Sequence, residues 1–244
     1  GWVAIRHSDY DGAKLMFLRS LAVHEAALGK NHKDVASSYH NVGIVARAHS
    51  DYAGCHGMFS KCLAIRQAVL GEHHPETAVS YSSLGLLAHD IGDNEEAKMM
   101  YQRALASYLA ARGESHADVA ASYNDLASIA HSEGDYSGAE EMFNKALAVF
   151  KTRLGENQHI GFFANRENHA EVADSYYNLG CVAYDQGDYQ GAKRMGEKAL
   201  ATRKATLGEN HVDVADLYNN LGLIETEIKM IDTYFYAEQY HQQY

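Results

Sequence analysis

Apolar and small side chains recur every three or four residues along most of the chain, which is the spacing that places them on one face of an α-helix. The whole pattern then returns at a fixed interval. Its clearest landmark is a tyrosine, which stands at Tyr39, Tyr81, Tyr123, Tyr176 and Tyr218. These tyrosines are 42, 42, 53 and 42 residues apart, and a period of about 20–50 residues is typical of stacked-repeat proteins. We therefore interpret the chain as an array of similar repeats.

Two kinds of turn divide each repeat into a helix A and a helix B. Between successive tyrosines, Gly or Ser is followed by Asp, and this pair can end one helix and cap the next. The turns lie at Ser8-Asp9, Ser50-Asp51, Gly92-Asp93, Gly134-Asp135 and Gly187-Asp188. We predict that each helix B begins directly after its Asp. A loop containing Leu-Gly-Glu or a related sequence separates the repeats, and we predict that helices A begin near Val35, Thr77, Val119, Val172 and Val214.

Composition agrees with an all-α protein. Only one of the 244 residues is Pro, the strongest helix breaker. We predict a repeat array over residues 1–224 with partial first and last repeats, an insertion at 158–168, and a non-repeat tail at 225–244. The insertion contains an apolar run, residues 160–163, which either folds back on its own repeat or contacts a partner. Gly1 aligns with Gly43 inside a helix, so we expect a longer parent chain.

The net charge limits the classes of partner, and the cysteine content indicates the redox environment. A net charge of −11 argues against nucleic acid and favours a basic or neutral polypeptide. We find no apolar run of the roughly 18 residues that a membrane span needs and no signal-peptide pattern. The three cysteines form neither a disulfide framework nor a zinc-binding pair, which favours a reducing, cytoplasmic environment. Cys55 and Cys62 are expected to pack inside a helix pair.

Histidines recur before each helix A. They stand at His32, His74, His116, His169 and His211, each followed two residues later by Asp or Glu. Because each belongs to a different repeat, they cannot converge on one metal ion. We interpret them as structural loop residues and predict neither a metal nor a cofactor.

An aromatic residue of helix B is expected to pack beside small residues where the two helices of a repeat approach each other. Phe17, Phe59, Tyr101 and Phe143 take this place, but the last complete repeat has Gly196. Glycine in a helix interior costs about 1 kcal/mol relative to alanine, before any cavity is counted. We therefore predict loose packing around Gly196.

The order and offsets of Tyr, Leu, Gly, Ala, aromatic and Ala in these repeats resemble the tetratricopeptide repeat. The 42-residue period, with Leu-Gly-Glu-Asn-His joining repeats at residues 207–211, is similar to that of kinesin light chains. This resemblance implies a right-handed α-α superhelix whose concave face is lined by helices A. It also implies a non-catalytic scaffold that binds peptide segments of other proteins.

Polar residues on helices A supply the candidate binding site. Asparagine in a helix interior costs several tenths of a kcal/mol relative to alanine, and the resemblance implies that such residues hydrogen-bond a peptide backbone in the groove. The alternative is that they face water or bond between helices. The candidates are Asn41, Arg47, His89, Asn124, His131, Tyr177, Asn178, Tyr184 and Asn219. Among them we prefer Asn124, His131, Tyr177, Asn178 and Asn219, with micromolar-range affinity for the peptide.

The tail raises a second hypothesis. Residues 226–228 (Thr-Glu-Ile) and 236–244 (Tyr-Ala-Glu-Gln-Tyr-His-Gln-Gln-Tyr) resemble the C-terminal part of A-type peptide methionine sulfoxide reductases. In that family the first segment is a strand, and the second contains an Asp where this chain has Gln239. The family's Gly-Cys-Phe-Trp nucleophile motif is absent. We therefore expect no reductase activity and an irregular or mobile tail, or alternatively an amphipathic cap. The repeats could instead belong to a larger enzyme.

Overall fold

The computed structural model describes residues 10–156 and 166–242. Within these ranges the chain forms ten α-helices and no β-strand, which confirms the all-α prediction. The helices are α1 (Tyr10–Leu28), α2 (Lys33–Ala48), α3 (Tyr52–Leu70), α4 (Pro75–Asp90), α5 (Asn94–Arg112), α6 (Ala117–Ser132), α7 (Tyr136–Glu156), α8 (Arg166–Asp185), α9 (Tyr189–Leu207) and α10 (Val212–Gln242). None of the described helices is long and apolar enough to cross a membrane.

The chain divides into two compact units, an N-terminal unit of Gly1–Ser122 and a C-terminal unit of Tyr123–Tyr244. In the N-terminal unit, helices α1 to α5 pack in sequence order, each on the next. In the C-terminal unit, α7 to α10 do the same. Each unit therefore has the nearest-neighbour packing of a helical repeat protein.

The predicted helix boundaries are confirmed for all helices B and for most helices A. The B helices α1, α3, α5, α7 and α9 each begin directly after the predicted Asp. The A helices α2, α4, α6 and α10 begin two residues before the predicted positions. Helix α8 differs, because it begins at Arg166 rather than near Val172. The apolar run of the insertion, residues 160–163, lies outside the described residues.

Hydrogen bonds from the backbone to the Asp side chains explain why the Asp turns start helices. Asp51, Asp93 and Asp188 are helix N-caps whose carboxylates accept backbone N–H bonds of 3.0, 3.1 and 2.8 Å. The residue before Asp93 is Gly92, with a φ of +81° that L-residues rarely adopt. Ser50 takes the equivalent place with a φ of +58°.

Four of the five recurring histidines are helix caps. In His32, His74, His116 and His211, the ring Nδ1 accepts the backbone N–H two residues later, at 3.2 Å in every case. This confirms their structural role at the start of helix A. For His169 the prediction of a loop position is wrong, because this residue lies inside α8. Among the described residues, His, Cys, Asp and Glu form no group that could hold a metal ion.

Aromatic rings lie directly over glycines where paired helices approach each other. A Cβ atom added to Gly43 would lie 2.5 Å from the Phe59 ring, and one added to Gly85 would lie 2.9 Å from the Tyr101 ring. The corresponding Gly180 has no ring above it, and its nearest neighbours, Ala192 and Met195, would be at an ordinary 3.5 Å. The close approach of the helices therefore requires glycine in α2 and α4 but not in α8.

This difference predicts opposite effects of one substitution. Gly43→Ala should lower the free energy of unfolding by about 1–3 kcal/mol, because the buried Phe59 ring must move. Gly180→Ala should be neutral or raise it by up to about 1 kcal/mol, because alanine is the better helix former. Urea denaturation of both variants measures the difference, and equal effects at the two positions would contradict this description of the packing.

The tail continues the last helix. Helix α10 passes through the predicted array boundary at residues 224 and 225 without interruption and ends at Gln242. The Thr-Glu-Ile segment at 226–228, a strand in the reductase family, is helical here, and the expectation of an irregular tail is wrong through Gln242. At the boundary, the ammonium of Lys193 in α9 lies 3.0 Å from a carboxylate oxygen of Glu225.

Candidate functional site

An open cavity of about 400 Å³ lies in the C-terminal unit. We call it the Gly196 cavity. Its apolar wall is formed by Gly180, Ala192, Gly196, Leu217, Leu221, Leu223 and Ile224, and its polar and aromatic side by His131, Tyr177, Cys181, Tyr184, Asp185 and Asn220. Helices A of three successive repeats and one helix B thus contribute to a single concave site. A volume of this size falls within the range of about 300–1,000 Å³ that is usual for ligand pockets.

The cavity exists because Gly196 has no side chain. In the preceding repeats the equivalent residue of helix B is a buried aromatic: Phe17, Phe59, Tyr101 and Phe143 are 8%, 2%, 3% and 3% exposed. At Gly196 only Leu221 leans into the space, with its Cδ2 2.8 Å from where a Cβ would lie. The cavity agrees with the prediction of loose packing around Gly196, although Leu221 comes close to position 196 itself.

One side of the cavity is held by a bond between repeats. The His131 Nε2 of α6 lies 2.7 Å from Asp185 Oδ2 at the end of α8. The His131 ring also packs on Tyr136 with centroids 5.7 Å apart, and Tyr184 meets Tyr189 edge-on at 5.1 Å. These contacts fix the orientation of two candidate side chains by packing them on the first residue of the following helix B.

Tyr177, Cys181 and Asn220 form a polar group inside the cavity. All three line the cavity, and Tyr177 is 40% exposed. Its pKa is raised, first by its electrostatic interaction with the Cys181 thiol and then by burial. The pKa of Cys181 is also raised, mainly because the thiol is partly buried. Both groups therefore remain protonated at neutral pH and are available as hydrogen-bond donors.

A second, smaller hollow of about 240 Å³ adjoins the Gly196 cavity and shares Tyr177, Leu217 and Asn220 with it. We call it the acidic hollow, because its other lining residues are Ala173, Asp174, Arg203, Asp213 and Asp216. The Arg203 guanidinium pairs with Asp174 and, at 2.7 Å, with Asp213. Three carboxylates face one guanidinium, which leaves the hollow negative.

Sequence comparison agrees with this helical architecture. Models of the tetratricopeptide repeat match residues 1–34, 35–76 and 172–213, and also 57–110 and 92–152. The chain is a tetratricopeptide repeat protein. A search of curated proteins finds no significant match.

Solved structures share the tetratricopeptide fold. BtubC (BKLC) from P. vanneervenii is 23% identical with a TM-score of 0.72, and the match covers 89% of this chain and 83% of that one. A Podosopora anserina protein described as a kinesin light chain with nearly identical TPR-like repeats is 18% identical, with a TM-score of 0.63 and coverage of 84% and 92%. The apo form of RapI is 16% identical, with a TM-score of 0.65 and coverage of 81% and 65%. These similarities show a kinesin-light-chain-like repeat fold.

The tetratricopeptide helices bring three of the nine candidate residues together. His131, Tyr177 and Tyr184 line the Gly196 cavity, whereas Asn124, Asn178 and Asn219 do not. The Asn124 side chain is half-buried, and its Oδ1 has no hydrogen-bond partner in the structure. Asn178 is half-buried and Asn219 is exposed.

The other three candidates lie in the N-terminal unit. Arg47 of α2 pairs with Asp90 of α4 through two hydrogen bonds, one of them 3.2 Å long. It also lines a separate hollow of about 360 Å³. Asn41 is half-buried and His89 is exposed. Arg47 and His131 therefore both bond between repeats, which was the alternative to groove contact, but each also remains at the edge of an open hollow.

Several lining residues were not among the sequence candidates. Cys181 follows Tyr177 by four residues, so helical spacing alone could have placed both on one face. Leu217 and Leu223 come from α10 and required knowledge of how the next repeat packs. The missing aromatic at Gly196 was the one sequence signal for a hole in this part of the molecule.

Proposed function

We propose that this chain is a non-catalytic interaction scaffold that holds an extended or short helical peptide segment of a partner protein against the A-helix side of the C-terminal unit. The observation that carries this proposal is the Gly196 cavity, where His131, Tyr177 and Tyr184 lie around a mostly apolar wall. Convergent polar groups at an apolar pocket are the usual composition of a binding site. The structural similarity to kinesin-light-chain-like repeats supports the same class of function.

The chemistry of the site favours a peptide of modest affinity. Tyr177 and Asn220 offer hydrogen bonds to a peptide backbone, while Leu217 and Leu223 offer apolar surface. We propose that Asn124, Asn178 and Asn219 add contacts on either side of the cavity, and that Asn41, Arg47 and His89 do so in the N-terminal unit. A small, partly hydrated interface of this kind corresponds to micromolar binding.

The cysteines support a role without catalysis. Cys55 and Cys62 are fully buried, and the pKa of each of the three thiols is raised chiefly by burial. A thiol with a raised pKa is a poor nucleophile, so we propose that the reductase-like tail, residues 225–244, confers no reductase activity on the array of residues 1–224. Membership of a larger enzyme remains the alternative hypothesis. Three free thiols also suit a reducing compartment such as the cytoplasm.

Selection from a phage-displayed library of random peptides tests the proposal. Peptides that bind the intact chain should lose about tenfold or more in affinity when His131 and Tyr177 are both replaced by alanine, because central contacts dominate such interfaces. The matched control replaces Asn144 and Gln190, two exposed polar residues of helices B, and should bind normally. The remaining candidates are tested by Asn124→Ala with Asn178→Ala. Binding that survives the cavity changes but is lost in the control would place the site on the opposite face.

A further inference from the structure

We propose that the Gly196 cavity is an anchor pocket for one aromatic side chain of the bound peptide, and that the acidic hollow takes a lysine or arginine next to that residue. This inference rests on the proposed function and specifies its ligand. It concerns the chemistry of the partner, a peptide with an aromatic residue beside a basic one.

The shape argument comes from the chain's own repeats. In the N-terminal unit, an aromatic ring of helix B fills the space beside the glycine of helix A, as Phe59 does at Gly43 and Tyr101 at Gly85. Gly180 offers the same bare backbone, but Gly196 stands where the ring would come from. The protein therefore has no aromatic ring of its own beside Gly180, and the Gly196 cavity opens there with Leu221 along one side. A partner's aromatic side chain would reproduce a contact that the fold already makes twice.

Apolar surface is exposed to water at the entrance to this space. Leu223 is 64% exposed and Tyr177 is 40% exposed, and both line the cavity. An inserted ring would remove these surfaces from water, and burying an aromatic side chain is among the largest single contributions to a protein interface. The Tyr177 and Asn220 side chains also supply the polar atoms that a tyrosine hydroxyl or a tryptophan N–H requires when buried.

The negative charge of the acidic hollow favours a basic residue next to the aromatic residue of the peptide. Asp174, Asp213 and Asp216 surround the acidic hollow with Arg203 as their one cation in its lining. Because the hollow adjoins the cavity through Tyr177, a cationic side chain beside the inserted aromatic reaches these carboxylates. The net charge of −11 also attracts a cationic peptide at long range. An acidic residue at that place in the peptide would be repelled.

Two substitutions at one position separate filling of the cavity from changes in helix propensity. Gly196→Phe restores the aromatic found in the other repeats and should close the cavity, so binding should fall about thirtyfold or more. Gly196→Ala is the companion variant, because it gives the same relief of glycine's helix cost but adds a single methyl group beside Leu221 rather than a ring. Its loss of affinity should be much smaller than that of Gly196→Phe, because most of the space remains open. Because an added Cβ at position 196 would lie 2.8 Å from Leu221 Cδ2, both variants require that side chain to move. Far-UV circular dichroism and a cooperative melting transition of each variant show that lost binding is not lost folding.

The probe is a fluorescein-labelled synthetic peptide with phenylalanine between two lysines, flanked by glycine and serine. Replacing its phenylalanine by alanine should weaken binding to the original chain as much as Gly196→Phe does, and replacing its lysines by glutamate should abolish binding. These changes to the peptide are tested on the original protein. Maleimide labelling of Cys181 gives a second readout, since Cys55 and Cys62 are fully buried. The peptide should protect Cys181 in the original chain.

The outcomes distinguish this inference from the broader proposal. If library-selected peptides bind through His131 and Tyr177 but tolerate Gly196→Phe and need no aromatic residue, the anchor pocket is overturned and the scaffold proposal stands. If neither the selected peptides nor the phenylalanine–lysine probe binds the intact chain, both are overturned. Binding of the probe that is lost with Gly196→Phe and kept with Gly196→Ala supports the pocket.

Discussion

Replacing Phe59 by alanine should lower the free energy of unfolding by about 3–5 kcal/mol, the largest effect we expect from any single core substitution here. The Phe59 side chain is 2% exposed and lies directly over Gly43 of α2. It also packs against the His40 ring, with centroids 5.4 Å apart. Removing the ring leaves a cavity between two helices that meet around it, and glycine at position 43 has no side chain that could refill the space.

Urea denaturation followed by circular dichroism measures this loss. Tyr52→Ala is the control on the same helix, because Tyr52 is 39% exposed and its removal should cost less than about 1 kcal/mol. Since repeats interact mainly with their neighbours, hydrogen exchange should accelerate most in α2, α3 and α4. A loss below 1 kcal/mol for Phe59→Ala would contradict the role assigned to the ring.

Acidification should destabilise the N-terminal unit through His40. Burial, followed by the positive charge of Arg66, lowers the pKa of His40 to about 4 from its usual 6.5. The unfolded chain therefore binds a proton on this residue before the folded chain does. The stability that neutral His40 allows is fully present above pH 6.5 and is lost as the pH falls towards 4. The full shift corresponds to about 3 kcal/mol.

The comparison of two variants isolates this effect. His40→Gln should flatten the dependence of unfolding free energy on pH between about 6.5 and 4. His89→Gln, at an exposed histidine, is the matched control. The difference between variants matters more than the absolute profile, because Asp125 acts in the opposite direction. Burial raises its pKa to about 6, so its contribution is present at low pH and lost as the pH rises through 6. A His40→Gln profile parallel to the original would contradict the buried-imidazole account.

Local signals in the sequence were enough to predict the helices. Asp51 and Asp93 cap them through their own carboxylates, and His74 does so through its ring, so these residues determine a helix start without help from the rest of the fold. The early start of α8 falls within the predicted insertion, residues 158–168, which has no counterpart in the other repeats. The tail was misread for a different reason. Beyond Gly222 no glycine or proline interrupts the chain up to Gln242, and helix propensity prevailed over the resemblance to a strand.

The binding site was only partly predictable, because it depends on packing between repeats. Glycine at position 196 indicates from the sequence that an aromatic ring is missing. The other cavity residues Leu217 and Leu223 belong to another helix, so the sequence alone does not place them there. The bond from His131 to Asp185 joins residues 54 apart, and the pair from Arg47 to Asp90 joins residues 43 apart. Neither follows from helical spacing within one repeat. Periodicity could place His131, Tyr177 and Tyr184 on helices A, and the folded chain was needed to place them around one cavity.

Hydrogen exchange of the C-terminal unit, with and without a saturating library-selected peptide, tests the central claim most directly. If the peptide lies along the A-helix side at the Gly196 cavity, amide exchange should slow in α8 around Tyr177 to Tyr184 and in α10 around Leu217 to Ile224. Helix α7, whose exposed residues include Asn144, should exchange as in the free chain. Protection confined to α7, with α8 and α10 unchanged, would contradict the account.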